Sequence, residues 1–353
     1  MGLIHPTDLE AWQAAVPPRE GVVRRIRGLA RRRSGPTQAI VLSPGADADI
    51  LVVVDAPTPS LRAAVVAPIA KMNPDRVAVL TTEATHKHLP QFGAYTPIAI
   101  LDENDLARTV PNARSILASG HYTELGALAY ACSQVWEASF FVSQHGIVTP
   151  LAPPLPPDAH LLAWSKRDAD FWMSGRNDTN ATTVGSELLW QAHRARTSTG
   201  PDRSPGDPGG LLYLGQLHGH ELPRRAMAKA AVRFCRANDA LYRPHPSETD
   251  LVSRMQHRLW QSRGIKFEAS PVPLAQTNHR VVAVFSTGVL EAAAAGRASW
   301  VDYPEPPEWL DEVWNRYAMK RFGSATPTQA AVPDLEPATR IAEIVTARAE
   351  GTR

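Results

Sequence analysis

Three short segments carry residue types that could hold a phosphate or move a proton. The first is Leu241-Tyr242-Arg243-Pro244-His245-Pro246-Ser247-Glu248-Thr249-Asp250. A strand-like run ends in a histidine held between two prolines, whose fixed φ angles remove backbone freedom on both sides of the ring. Arg243 adds a permanent cation. A helix is expected from Glu248 to Arg263, with Ser247 as N-cap and Asp250 in a capping-box-like place. A histidine, an arginine and a helix N-terminus together make an anion site. The plainer reading is a tight strand-to-helix turn with a surface histidine.

The second segment is Phe285-Ser286-Thr287-Gly288-Val289-Leu290-Glu291. Ser286 and Thr287 bring hydroxyls, and with Gly288 they bring backbone N–H groups that can receive a phosphate oxygen. Glu291, one turn along, is either a partner for a ribose hydroxyl or a surface carboxylate. The third is Ser143-Gln144-His145-Gly146. His145 is suited to take a proton near neutral pH, Gly146 permits close backbone approach, and Gln144 flanks them. A hydrogen-bonded loop histidine is the plain alternative.

Weaker signals surround these. In Gly215-Gln216-Leu217-His218-Gly219-His220, Gly215 or Gly219 could admit a phosphate and His218 could contact it. His218 and His220 have no third ligand in the sequence, so no metal site is expected. Gly120-His121-Tyr122-Thr123 is a similar turn with His121 on an acceptor side. Trp164-Ser165 and Gly185-Ser186 read mostly as helix N-caps, and Asp47-Ala48-Asp49 as a turn before a strand.

The elements that must position these residues are short continuous apolar runs: 49–54, 76–80, 97–101, 139–143 and 160–164. Such runs fit parallel strands covered on both faces. Helical patterns at 60–70, 124–137 and 166–173 lie between them. A stretch dense in turn formers, 197–210, marks a linker. Strand and helix patterns then alternate again: strands at 211–214, 239–242, 280–285 and 298–301, helices at 223–236, 288–295, 308–319 and 336–349. This order predicts two doubly wound α/β domains, at 1–200 and 201–334, with a terminal helix at 335–353 that could pack back on the first. Ligands of such sheets lie in crevices at the carboxyl ends of strands, and all three segments fall there.

Composition bounds the function. Lys and Arg number 37 against 35 Asp and Glu, so the net charge of +2 disfavours a general nucleic-acid binder. The basic excess is local, at residues 24–33, which reads as a solvated helix face or as a foot on an anionic membrane. Two distant cysteines, Cys132 and Cys235, fit a reduced cytoplasmic protein. No apolar stretch reaches membrane-spanning length.

Taken in order, Gln-His-Gly, Tyr-Arg-Pro-His-Pro and Phe-Ser-Thr with a following Glu resemble GT-B transferases that use cytidine-nucleotide donors. Two groups are similar: the CDP-glycerol and CDP-ribitol polyol-phosphate transferases of teichoic acid synthesis, and the bacterial sialyl-, polysialyl- and Kdo-transferases. The resemblance covers about residues 141–301. It implies two Rossmann-like domains facing a cleft, and a donor phosphate held by His245, Ser286 and Thr287. It also implies a general base at His145 and a ribose contact at Glu291. Two departures touch the acceptor side. Ile147 stands where teichoic acid polymerases usually carry Thr after His-Gly, and the acidic pair before Gly of the sialyltransferase group is missing.

The expected function is therefore an inverting, metal-independent glycosyltransferase with a CMP- or CDP-linked donor, no separate cofactor, and a hydroxyl acceptor on a cell-wall or capsule glycan. Its place would be cytoplasmic, with peripheral membrane contact through 24–33. Arg243, Gly288, Gly215 and His218 join the donor side, and Gln144, Gly146 and His121 the acceptor side. Three other readings compete: a CDP-polyol phosphotransferase, a UDP-sugar 2-epimerase, and a non-catalytic nucleotide-sugar-binding protein. The epimerase needs several acid/base carboxylates, and none stands out in the sequence.

Overall fold

A computed structural model describes residues 2–16, 38–45, 47–198, 209–217, 221–269 and 272–351. The basic segment 24–33, most of the expected linker, His218, Gly219 and His220 lie outside the described residues. The chain forms two compact units, one of residues 1–146, 150–188 and 333–353, the other of residues 147–149 and 189–332. The boundaries fall at 188/189 and 332/333, against the expected 200/201 and 334/335.

The first unit is built on an eight-stranded sheet in the order β4-β1-β3-β2-β5-β6-β7-β8. Its strands are β1 (Ala39–Leu42), β2 (Ile50–Val53), β3 (Val77–Thr82), β4 (Ile98–Ile100), β5 (Ser115–Ala118), β6 (Ser139–Ser143), β7 (His160–Ala163) and β8 (Asn180–Thr183). Six of them, β3-β2-β5-β6-β7-β8, run parallel. The all-parallel expectation fails at one edge, where β1 pairs antiparallel with both β3 and β4. Strand β4 is the outermost strand and leaves Ile98 and Ala99 exposed. Strands β1, β5 and β8 escape the sequence reading.

Both faces of the central strands are closed. Every residue of β2 and of β5 is buried, which is why the runs are continuous rather than alternating. The C-terminal helix belongs to this unit, placing Ile341, Ala342, Val345 and Ala349 in the same core as Val52, Val79 and Leu117. Each buried Val, Leu or Ile side chain among them contributes roughly 1.5–3 kcal/mol over exposure. Arg76, just before β3, grips Asp49 bidentately, with Nε and Nη2 at 3.0 and 2.6 Å, and also pairs with Glu350 of that helix. Arg76 thus ties the start of β2 to the C-terminal helix. The helical pattern at 60–70 widens into a π-helix at Arg62–Val66 and tightens into a 3-10 turn at Ala67–Lys71. Pro68 has no N–H to continue an α-helical ladder.

Helices α1 (Leu9–Ala15), α2 (Glu103–Thr109), α3 (Glu124–Trp136) and α4 (Lys166–Trp172) start at side-chain caps from Asp8, Asp102, Thr123 and Ser165. Such caps satisfy backbone N–H groups that no earlier turn can receive.

The second unit has a parallel four-stranded sheet in the order β10-β9-β11-β12. Its strands are β9 (Gly209–Leu214), β10 (Leu241–Arg243), β11 (His279–Ala283) and β12 (Ser299–Val301). Following α5 (Glu187–Ser198) in the chain, its helices are α6 (Arg224–Asn238), α7 (Leu251–Ser262), α8 (Thr287–Ala294) and α9 (Glu308–Arg316), and α10 (Pro337–Glu350) is the C-terminal helix of the first unit. In each sheet the winding reverses beside the first parallel strand, between β2 and β5 and between β9 and β11. Open α/β sheets take ligands at such switch points.

Candidate functional site

In the second unit, the loops after β9, β10 and β11 meet at the β9/β11 switch point. Gln216 stitches it: its Oε1 accepts from the backbone N–H of Val284 and of Phe285, at 3.1 and 3.0 Å. Trp314 Nε1 donates to Val284 O at 2.7 Å from the other side. Helix α8 then opens at once. Ser286 is its N-cap, accepting from Gly288 N at 3.1 Å, and Thr287 Oγ1 accepts from Ile147 N at 3.3 Å. Gly288 has no room for a side chain, since a Cβ would sit 2.6 Å from Leu214 Cδ1 and 2.8 Å from Leu274 Cδ1. The α8 N-terminus is thereby pressed onto β9.

His245 follows β10 in a fixed orientation. Its Nδ1 accepts the backbone N–H of Ser247 at 3.1 Å. In the neutral ring the proton then belongs on Nε2, so Nε2–H is a donor. Arg243 pairs with Glu268 at 2.8 Å and donates to Val272 O, and it acts electrostatically on Glu291. The end of β10 and the second turn of α8 are therefore within electrostatic reach of each other. Burial pushes the Glu291 carboxyl up to about 7, with Arg243 and an Ala275 backbone contact opposing it.

Two expectations for this unit are corrected. Helix α7 begins at Leu251, not at Glu248, and its N-cap is Asp250, which accepts from Ser253 N at 2.9 Å, not Ser247. Glu248 is drawn inward instead. Its Oε1 accepts from Leu217 N at 3.0 Å, and its Oε2 from the Tyr242 hydroxyl at 2.9 Å and faces His257 Nε2 at 3.0 Å. Gly215 is the second correction: the space beside it is filled by the Tyr242 hydroxyl and Glu248 Oε1, so it makes room for the protein's own side chains.

In the first unit, parallel strands β2, β5 and β6 are neighbours, so Asp55, Ser119 to His121 and Gln144 to Gly146 share one sheet edge. His145 is half-buried, and its Nδ1 is closed from solvent with no hydrogen-bond partner. Burial holds its pKa below the usual imidazole value, against a hydrogen bond with the Ser143 backbone that works the other way. A neutral ring is the form that can accept a proton. A narrow recess beside it, with a cavity volume of only about 10 Å³, includes Ser60, Trp164 and Ser186 in its lining.

Gln144 is buried and committed to the frame. Its Oε1 accepts from Trp164 N at 2.8 Å, its Nε2 donates to Gly146 O at 3.0 Å, and its backbone O accepts from Trp164 Nε1 at 2.8 Å. These bonds shape the His145 turn. His121 stacks edge-on with Tyr130 and has its pKa pushed down to about 4, first by burial and then by Arg176. Asp55, missed in the sequence, receives the Ser119 hydroxyl at 3.0 Å. Burial raises its pKa, with hydrogen bonds from Thr123 and Ser119 opposing. The signal was present: an acidic residue directly after the apolar run 50–54. Among the described residues no group of three His, Cys, Asp or Glu side chains could hold a metal ion, and no helix is long and apolar enough to cross a membrane.

No protein-family model matches the chain, and no curated protein sequence does. Solved structures do. The Methanocaldococcus jannaschii UDP-GlcNAc 2-epimerase in complex with UDP-GlcNAc and UDP is 12% identical, with a TM-score of 0.53 over 84% of this chain and 99% of that one. Anabaena Alr3699/HepE in complex with UDP and glucose is 16% identical, with a TM-score of 0.47 over 86% and 97%. At these identities the epimerase likeness speaks for the fold, an α/β chain of the GT-B class.

Proposed function

We propose that the chain is a glycosyltransferase that takes a sugar from a nucleotide-activated donor, CMP- or CDP-linked, and passes it to a hydroxyl acceptor with inversion. One observation carries the reading: the α8 N-terminus opens at the β9/β11 switch point of the second unit, and Arg243, at the end of the neighbouring strand β10 that leads into the His245 turn, acts electrostatically on Glu291 of that helix. Such a site offers preorganised donors to the charge that develops on a leaving phosphate. Ser286 and Thr287 border the phosphate, and Glu291 meets the ribose.

His145 is the base in this reading. The acceptor oxygen attacks the anomeric carbon, its proton passes to neutral His145, and the bond from that carbon to the phosphate oxygen breaks with its electron pair. Acceptor deprotonation and leaving-group stabilisation are then separate tasks on separate residues.

A UDP-sugar 2-epimerase is the second reading. The raised pKa of Asp55 at the β2/β5 switch point favours it, and so does the uridine nucleotide bound by the similar epimerase. Thermal stability measured with CMP, CDP, UDP and GDP separates them, because a ligand at about 100 times its Kd adds about 2.7 kcal/mol to the folded state. The transferase reading expects the largest rise with CMP or CDP. Stabilisation by UDP alone removes the cytidine donor and favours the epimerase. No response to any nucleotide removes the donor site.

A further inference from the structure

Helix α7 buries one side and leaves an apolar arc uncovered on the other. It buries Trp260 and Ser253 and turns the half-buried His257 toward Glu248. At 100° per residue, Leu251, Val252, Met255 and Leu259 fall on the opposite arc. They are 60%, 51%, 61% and 47% exposed. Single exposed aliphatic residues are ordinary, but four on one arc of a twelve-residue helix form a continuous apolar strip. Arg254 and Arg258, one turn apart, are exposed along one flank, and Arg263 is exposed at the C-cap. No carboxylate lies between 251 and 263, and the Asp250 side chain is taken up in capping.

We infer that α7 is a membrane-docking helix that lies in the headgroup plane of an anionic bilayer. An amphipathic helix with an apolar arc and an arginine flank suits that surface: the arc sinks among the acyl chains, and the arginines reach the lipid phosphates. A second copy of the chain fits less well. A symmetric antiparallel pairing centred on Met255 would set Arg254 and Arg258 against the same residues of the other copy, with no carboxylate on the arc to answer them. The inference concerns a different surface from the nucleotide site and stands without the transferase reading. It also concerns different residues from the basic segment 24–33.

The test is co-sedimentation of the full chain, without nucleotide, with vesicles of phosphatidylcholine alone or with one third phosphatidylglycerol. Binding is expected only to the anionic vesicles. The variant pairs Met255→Ser with Leu259→Ser, and Arg254→Glu with Arg258→Glu, change exposed residues, and unchanged far-UV circular dichroism and Tm check their folding. Each basic residue near an anionic surface contributes about fivefold to partitioning, so the arginine pair should lose at least about 25-fold. The apolar pair should lose at least tenfold. Three results overturn the inference. One is no binding to anionic vesicles. Another is binding that survives both variant pairs and disappears when the arginines of 24–33 become serine. The third is a concentration-dependent dimer that Met255→Ser dissociates while vesicles bind nothing, which assigns the arc to a second copy.

Discussion

The Tyr242 hydroxyl donates to Glu248 Oε2 at 2.9 Å, and both side chains are sealed from solvent. The same carboxylate accepts from Leu217 N and faces His257 Nε2, so one buried charge joins the loops after β9 and β10 to helix α7. Burial pushes the Glu248 pKa up, but hydrogen bonds involving His257, Leu217, Tyr242 and His245 outweigh it and leave it below the ordinary value of 4.5. A depressed folded-state pKa contributes stability that is present above the unfolded pKa and lost as pH falls through the folded one. Urea unfolding from pH 7 to 3 should show wild type losing stability below about pH 4.5, with a shallower acid limb in Glu248→Gln. Removing the carboxylate in Glu248→Ala strands buried donors and should cost about 2–4 kcal/mol at pH 7. Parallel curves for wild type and Glu248→Gln would refute the ionised network.

The same network shows what sequence can and cannot display. The parallel strands and the His and Ser-Thr turns were legible because buried strands are continuous apolar runs and ligand-type residues follow them. Glu248 read as the first residue of a helix, since Ser247 and Asp250 are both good caps. Only the tertiary pull of Leu217, Tyr242 and His257 decides between them. Gln144 and Gly215 misled for a related reason. A polar or small residue at a strand end looks like a ligand contact, and whether it faces a ligand or the frame depends on partners 20 or more residues away. Asp55 was readable by the strand-end rule applied to His145, but its meaning comes from burial, which no local pattern displays.

Gly215→Ala separates frame from ligand. The added methyl would fall on the Tyr242 hydroxyl and 2.7 Å from Glu248 Oε1. Overpacking of this kind costs typically 1–3 kcal/mol. The variant should lower Tm and, below its transition, bind nucleotide within about threefold of wild type. An unchanged Tm with binding abolished would return Gly215 to the ligand.

His245→Ala removes the Nε2–H donor that the Ser247 N–H fixes in place. A hydrogen bond to a charged phosphate is worth about 1.5–3 kcal/mol, or roughly 10–100-fold in Kd. Calorimetric titration of the nucleotide that gives the largest thermal shift reads this directly. Unchanged affinity would remove His245 from the donor site.

Glu291 gives a pH dependence of opposite sign to Glu248. Its folded pKa is raised to about 7, so its contribution is present below the unfolded pKa and lost as pH rises through about 7. A displacement of this size is worth up to about 3 kcal/mol, less whatever solvent screens at this partly exposed side chain. Between pH 5 and 8.5 wild type should lose stability relative to Glu291→Gln, which cannot ionise. Curves that keep a constant separation would show that Glu291 is already ionised at pH 5.

His145→Gln tests the base. Loss of a positioned proton acceptor typically costs 10²–10⁴ in rate, and the donor site lies on the other unit's residues. Transfer turnover with a supplied acceptor should fall by that factor, while nucleotide Kd changes less than threefold. The pH profile adds a second reading. Burial lowers the His145 pKa below 6.5, so the ring stays neutral, and turnover should stay level, from pH 8 down through pH 6.5, declining only below it. A decline centred above 6.5, or a variant whose main defect is nucleotide affinity, would move the base elsewhere. Asp55 is then the residue to replace next, since burial raises its pKa at the same sheet edge.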